Sequence, residues 1–159
     1  MSFDFQKTNE YIKSHGKIAR VLILKTFGSA PRDEGTTMLI WDSGQFGTIG
    51  GGELEYQVTR LAKKIIIDNK GSRIKKFSLG PDMGQCCGGA VELLIEILDE
   101  TKVKFISVDD GFFARPVFKN EKSLNVQALI KSYRNKSVPI KTSFKDGWLF
   151  EPVTKEKEL

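Results

Sequence analysis

Apolar and polar residues alternate along this chain in patterns that separate strands from helices. Residues 18–27 and 90–98 are two runs of branched apolar side chains, and each predicts a buried strand. Between them, apolar residues recur at steps of three and four from Leu54 to Ile65, which is typical of an amphipathic helix that begins at Glu53 and ends at Asp68. Three glycines, residues 50–52, directly precede this helix, so a glycine turn connects it to the predicted strand before it.

Turn-forming residues delimit the remaining elements. Gly16 stops a predicted helix over residues 3–15, and residues 42–44 form the turn of a predicted hairpin between strands 36–41 and 45–49. Further strands are predicted at 72–79, 103–108, 112–118, 138–142 and 148–153, with a helix at 124–133. These elements predict a single α+β domain, with a mixed, largely antiparallel sheet and two or three packing helices.

Length and charge narrow the class of protein. A chain of 159 residues suits one domain, and its net charge of +5 mildly favours anionic partners such as phosphates or an acidic protein surface. The charges are mixed along the chain with little aromatic interleaving, so a nucleic-acid partner is not expected. The first residues lack a signal-peptide pattern, and no apolar run approaches the roughly 20 residues that span a bilayer. We expect a soluble, cytoplasmic protein without a membrane partner.

Cys86 and Cys87 are the only cysteines, and they lie side by side in a glycine-rich segment, residues 80–89. Adjacent cysteines join only through a strained ring, so a secreted disulfide framework is not expected. Their thiolates could act as nucleophiles, soft metal ligands or a redox pair, and inert burial is the alternative. A structural zinc site is not expected, because His15 is the only histidine and lies far away in sequence.

The segment of residues 47–52 places glycine N–H groups at a helix N-terminus, where side chains do not block the approach of an anion. It lacks the lysine of a Walker loop and the spacing of the dinucleotide fingerprint. Glu53 in the first helical turn would repel a second anion unless it points away. A tight turn that merely requires glycine is the alternative.

The segment of residues 28–35 predicts an ordered loop, because two glycines and a proline interrupt both strand and helix. Arg32 follows Pro31, and its planar guanidinium suits a phosphate or carboxylate, although a surface ion pair with Asp33, Glu34 or another acid would explain it too. Ser29 would hydrogen-bond a ligand or cap its own loop.

Taken together, these three segments resemble the XdhC/CoxI family, accessory proteins that serve molybdenum hydroxylases such as xanthine dehydrogenase. The similarity covers about residues 18–98, and the double cysteine resembles the XdhC branch. The matching residues are 28–32, 35, 38–39, 47–52, 54–55, 79–81 and 84–89, with a later match at 147–152.

The resemblance implies a chaperone of the molybdenum cofactor rather than a turnover enzyme. Such a protein binds the molybdopterin transiently while a cysteine desulfurase supplies sulfur, and then delivers it to the apo molybdenum hydroxylase. Cys86 and Cys87 are expected near the metal or the incoming sulfur. The expected cofactor-binding residues are Ser29, Arg32, Gly50, Gly51, Gly52, Gln85, Gly88 and Gly89.

Full-length relatives continue into a Rossmann-like domain, whose glycine-rich turn does not appear in this sequence. We therefore expect residues 1–153 to form a domain like the family's N-terminal one, and residues 154–159 to be a polar tail. The Rossmann partner would be a separate polypeptide, or this version would work without it. Two alternatives stay open: a sulfur carrier that bears a persulfide, and a non-catalytic assembly subunit. A homo-oligomer is also expected.

Overall fold

Three helices and nine strands make up the described part of the chain, which in this computed structural model comprises residues 4–81, 88–104, 106–109, 112–118, 131 and 141–152. The helices are α1 (Phe5–His15), α2 (Gly52–Ile67) and α3 (Glu100–Val103). The strands are β1 (Ile18–Phe27), β2 (Thr37–Trp41), β3 (Gly44–Gly47), β4 (Arg73–Ser78), β5 (Ala90–Leu98), β6 (Ser107–Asp109), β7 (Phe112–Pro116), β8 (Ser143–Lys145) and β9 (Trp148–Pro152).

The first sheet has the strand order β3-β2-β1-β5-β4, and every neighbouring pair in it is antiparallel. Strands β1 and β5 are next to each other in its interior and are buried on both faces over most of their length, because both faces are covered. Helix α2 buries Leu54, Val58 and Ile65 against one face. Burial of this apolar stripe, rather than helix propensity alone, holds α2 in place.

The second sheet has the order β6-β7-β9-β8 and is also antiparallel. It contacts the other face of the first sheet, where Leu22 and Leu94 pack with Val117 and Leu149. Helix α1 joins this layer at its start, because the ring of Phe5 stacks on that of Phe113 with 5.6 Å between the centroids. The fold is therefore a pair of packed sheets with α2 on the outer face of the first.

Four buried charged residues cross the space between the sheets. Arg20 and Glu96 are register partners on β1 and β5, while Arg115 and Glu151 come from β7 and β9. Arg20 donates hydrogen bonds from both terminal nitrogens to Glu151, with Nη1 2.6 Å from Oε1. Arg115 donates to Glu96 from Nε at 2.6 Å and from Nη2 at 2.8 Å, and also to Glu151 at 2.6 Å. We call these four residues the charged quartet.

The charges of the quartet stabilise one another. Burial opposes the ionised form of Glu96, but Arg115 and Arg20 outweigh it, so the pKa of Glu96 lies below its ordinary value. Burial likewise opposes the charge of Arg115, yet the carboxylates of Glu96 and Glu151 raise its pKa. Both shifts favour the charged forms of Glu96 and Arg115.

The predicted fold class is confirmed: the molecule is α+β, with antiparallel sheets and packing helices. Strands β1 and β5 have the predicted bounds, and β2, β3, β4, β7 and β9 begin and end within two residues of the predicted bounds. Strand β8, Ser143–Lys145, was not predicted. The sequence analysis expected one sheet, whereas the described strands form two. Within the described residues, no helix is long and apolar enough to cross a bilayer.

The predicted strand at 103–108 was wrong at its start, because Val103 ends α3 and the strand begins at Ser107. The cause is Asp99, whose side chain accepts a hydrogen bond from the Lys102 N–H at 2.9 Å and caps the helix. Predicted elements also fall outside the described residues: all of the 124–133 helix except 131, residues 138–140 of one strand, and the tail 154–159. Residues 141 and 142 lie in no strand.

Candidate functional site

Three loops leave the same end of the first sheet. The first loop, residues 28–36, joins β1 to β2, and the second loop, residues 48–51, joins β3 to α2. The third loop, residues 79–89, joins β4 to β5 and is described at 79–81 and 88–89. Their common position follows from the antiparallel order, because each of these connections is made where β1, β3 and β4 end.

The first and third loops are in direct backbone contact. Ser29 forms an isolated parallel bridge with Gly88. The third loop is closed beneath it, since the Gly88 N–H donates to the Leu79 carbonyl at 2.8 Å and the Leu79 N–H donates to the Gly89 carbonyl at 2.7 Å. A β-carbon on Gly89 would collide with the carbonyl oxygens of Phe27 and Ser29. Only glycine allows this approach.

The second loop contacts the first through Gly50 and Pro31. Gly50 has a φ of +123°, and a β-carbon there would lie 2.7 Å from Pro31 Cβ and 2.8 Å from Pro31 Cγ. Gly51 and Gly88 differ from Gly50, because a β-carbon on either of them would meet nothing within 4 Å. The glycines at this end of the sheet thus serve two purposes: Gly50 and Gly89 permit close packing, while Gly51 and Gly88 present open backbone.

The carboxylate of Glu55 organises the second loop. It accepts hydrogen bonds from Thr48 Oγ1 at 2.5 Å, from the Ile49 N–H at 3.0 Å and from the Gly51 N–H at 3.3 Å. Gln45 Nε2 donates to its other oxygen at 3.3 Å. Partial burial opposes the charge of Glu55, but these donors outweigh it and lower the pKa of the carboxyl group.

This arrangement bears on the predicted anion site. The Gly51 N–H donates to Glu55 and the Gly50 N–H donates to Thr48 Oγ1 at 3.0 Å, so both groups have partners within the protein. Glu53, the residue that the sequence analysis considered, instead accepts a hydrogen bond from Gln57 Nε2 at 3.0 Å. The missed signal is the position of Glu55 in α2, because helical side chains lean toward the N-terminus.

Arg32 and Ser29 are both exposed on the first loop. Arg32 Nη1 donates to the Pro31 carbonyl at 2.8 Å, and Arg32 Cγ would lie 3.8 Å from a β-carbon on Gly50. Within the described residues Arg32 forms no ion pair, and Glu34 instead accepts the Thr26 N–H at 3.0 Å. The surface ion pair that the sequence left open is therefore not what holds Arg32.

The structure brings together Ser29, Arg32, Gly50, Gly51, Gly52, Gly88 and Gly89 at one end of the sheet. Gln85, Cys86 and Cys87 lie outside the described residues, so their predicted roles stay predictions. The ring of His15 stacks on that of Trp41 at a centroid distance of 4.4 Å. In the described ranges, no three His, Cys, Asp or Glu side chains form a group that could hold a metal ion.

Comparison with known proteins finds a family match in the part of the chain that contains the first and second loops. No curated protein matches the sequence significantly. A crystal structure described as a xanthine dehydrogenase from Bacillus halodurans is similar with a TM-score of 0.58 and 23% identity, and the match covers 75% of this chain. The match covers 39% of that protein, so this chain spans well under half of its length. The model of the XdhC and CoxI family matches residues 11–78, and the resemblance of this chain to that family is confirmed over this segment.

Proposed function

We propose that this chain is an accessory protein that binds the molybdenum cofactor and assists its sulfuration and insertion into a xanthine dehydrogenase-type hydroxylase. The observation that carries the proposal is the meeting of the three loops, through the Ser29–Gly88 bridge and the contact of Gly50 with Pro31. The family match over residues 11–78 supports the same role. A binding site on loops held by a rigid sheet is a common arrangement.

The described residues fit an anionic guest with an extended shape. Arg32 supplies an exposed planar guanidinium, Ser29 supplies an exposed hydroxyl, and Gly88 leaves space for close approach to the backbone. Gly50 and Gly51 act by shaping the second loop, since their N–H groups already have partners. Gly52, exposed at the start of α2, remains available to an anion at that helix end.

When bound, the cofactor would supply a molybdenum centre at which a sulfur ligand replaces oxygen. Cys86, Cys87 and Gln85, which continue the third loop toward Gly88, would lie beside that centre. Thiolates suit a soft metal and an incoming sulfur atom. The cysteine desulfurase and the apo hydroxylase would then be successive partners of this end of the molecule.

The test is retention of the cofactor by the purified chain. We expect the wild type to keep molybdenum cofactor through a desalting column, and Arg32→Ala to keep several-fold less, because a charge-assisted hydrogen bond is lost. Arg60→Ala is the matched control, since Arg60 is exposed on α2 and lies over the Tyr56 ring. Failure of the wild type to retain the cofactor would overturn the proposal.

The cysteines require a separate measurement. A Cys86→Ser, Cys87→Ser double variant should lose retention, and equal retention would remove the thiols from the site. After incubation with a cysteine desulfurase and cysteine, the mass of a cofactor chaperone should be unchanged. An added sulfur on Cys86 or Cys87 would favour the sulfur-carrier alternative instead.

A further inference from the structure

A pair of lysines flanks one aromatic ring at the same end of the first sheet. Phe27 is the last residue of β1, and its ring centroid lies 4.9 Å from Lys25 Nζ and 4.1 Å from Lys76 Nζ. Both lysines are exposed, and Phe27 is half-buried. Lys25 comes from β1 and Lys76 from β4, so two strands that are not neighbours contribute to one cationic cluster.

The register of the sheet explains the cluster. Lys25 and Lys76 are both paired with Glu92 of β5, and Phe27 and Ser78 are both paired with Ala90. Residues paired in this way lie on the same face, so both lysines and Phe27 share a face with Glu92. The irregularity between Ile23 and Lys25 turns Lys25 onto this face.

The cluster contains two ammonium groups and, in the same row of the sheet, the carboxylate of Glu92. Among the described residues, neither Lys25 nor Lys76 forms an ion pair, although Glu92 lies between them. Their ammonium groups rest on the π face of Phe27, a contact that is weak at an exposed position. An anion with several oxygen acceptors would interact more strongly with the two ammonium groups than the ring of Phe27 does.

The cluster lies close to the meeting point of the loops. Phe27 and Ala90 are the last pair before the bridge of Ser29 with Gly88, and the carbonyl of Phe27 approaches Gly89. Lys25 and Lys76 each lie two residues before the end of their strand, a distance of about 7 Å. A lysine side chain is long enough to extend from there past the end of the sheet. A ligand at the three loops thus has a cationic cluster beside it.

We propose that Lys25 and Lys76 form a phosphate subsite that holds the terminal phosphate of a cofactor bound at the three loops. The inference rests on the proposed function for the identity of that ligand, while the phosphate chemistry rests on the cluster itself. Lysine is a common phosphate ligand, and two flexible ammonium groups can hold one phosphate between them. Glu92 opposes the anion and limits its affinity.

The experiment measures binding of inorganic pyrophosphate and of molybdenum cofactor to the same variants. Relative to wild type, a Lys25→Ala, Lys76→Ala double variant should bind both ligands about tenfold more weakly, the loss expected for charge-assisted contacts. A Lys64→Ala, Lys70→Ala double variant removes equal charge from exposed positions near the end of α2 and should bind as wild type. Glu92→Gln should bind pyrophosphate more tightly.

The possible outcomes separate this inference from the function on which it rests. Cofactor retained equally by wild type and the Lys25, Lys76 variant would overturn the subsite and leave the proposed function intact. Pyrophosphate bound through the two lysines without any cofactor retention would keep the phosphate site but assign it to free phosphate compounds. Equal weakening in the Lys64, Lys70 control would show a general charge effect and overturn the subsite. Unchanged thermal unfolding midpoints verify that each variant folds.

Discussion

At the scale of single residues, the absence of a β-carbon decides how closely the loops approach. Gly89 and Gly80 both belong to the third loop, but their surroundings differ. A β-carbon on Gly89 would overlap the carbonyls of Phe27 and Ser29, whereas one on Gly80 would meet nothing within 4 Å. The requirement at Gly89 comes from contact with another loop, not from the third loop's own turn.

We therefore expect Gly89→Ala to lower the free energy of unfolding by about 1–3 kcal/mol, the range of overpacked positions, because the first loop must move away. Gly80→Ala should change it by less than about 0.5 kcal/mol, as at other surface positions without special constraints. Urea unfolding of the two variants gives the comparison. Equal stability of both would contradict the close approach of Gly89 to the carbonyls of Phe27 and Ser29.

Sequence reasoning found these glycines but not the reason for each. The glycine-rich segments were expected to leave backbone N–H groups free for a ligand. The N–H groups of Gly50 and Gly51 instead donate hydrogen bonds within the protein. Contacts between loops depend on strand register, which a single sequence does not specify. Arg32 and Ser29 were predicted from their residue types, and both are exposed on the first loop.

At the scale of elements, α2 is tied to the hairpin before it by one carboxylate. Glu55 lies one turn inside the helix and receives hydrogen bonds from Gln45 of β3 and from the second loop. These hydrogen bonds join the N-terminal end of α2 to the second loop. Through Gly50, the second loop also lies against Pro31 and Arg32.

The contribution of Glu55 should depend on pH. Because the folded-state pKa of Glu55 is lowered from 4.5, its stabilisation is present above that value and is lost as the pH falls through the folded pKa. At pH 7 we expect Glu55→Gln to cost about 1 kcal/mol of unfolding free energy, the usual worth of such hydrogen bonds. The difference from wild type should shrink at acidic pH.

Glu53→Gln is the matched control for this measurement, since Glu53 is exposed in the same turn and its carboxylate accepts a hydrogen bond from Gln57. Its stability should follow that of the wild type across the pH range. A difference between wild type and Glu55→Gln that stays constant down to acidic pH would refute the assignment.

Elements with a strong apolar pattern were predicted well. Strands β1 and β5 and helix α2 are long and buried, so periodicity alone located them. Val103 was misassigned because β-branched residues favour strands, while the Asp99 cap and tertiary packing favour a short helix at this point. Short elements depend on such local competition, which a propensity argument does not resolve.

At the scale of the whole molecule, the charged quartet holds the two sheets in one relative position. Its members lie in four strands, and Arg20 and Glu151 are 131 residues apart in sequence. Nothing in the sequence pattern pairs them, because a single sequence does not specify which strands lie opposite one another or which of their polar residues face each other. A buried ion pair adds little net stability, but removal of one member leaves an uncompensated charge.

For this reason Glu151→Ala should lower the unfolding free energy by about 3–5 kcal/mol. Glu10→Ala, at an exposed position on α1, is the control and should stay within about 0.5 kcal/mol of wild type. Chemical denaturation followed by circular dichroism measures both. A small effect of Glu151→Ala would mean that water reaches Arg20 and Arg115, contrary to their burial.

The order of strands in the first sheet has a practical meaning for anyone who trims this polypeptide. Strand β5 is inserted between β1 and β4, so the family-matched stretch of residues 11–78 contains two strands whose shared neighbour comes from outside it. Expressed alone, that stretch would lack β5, so the edges of β1 and β4 that pair with it would expose unpaired backbone groups and apolar side chains. We expect it to aggregate, and any useful fragment has to extend at least through Leu98.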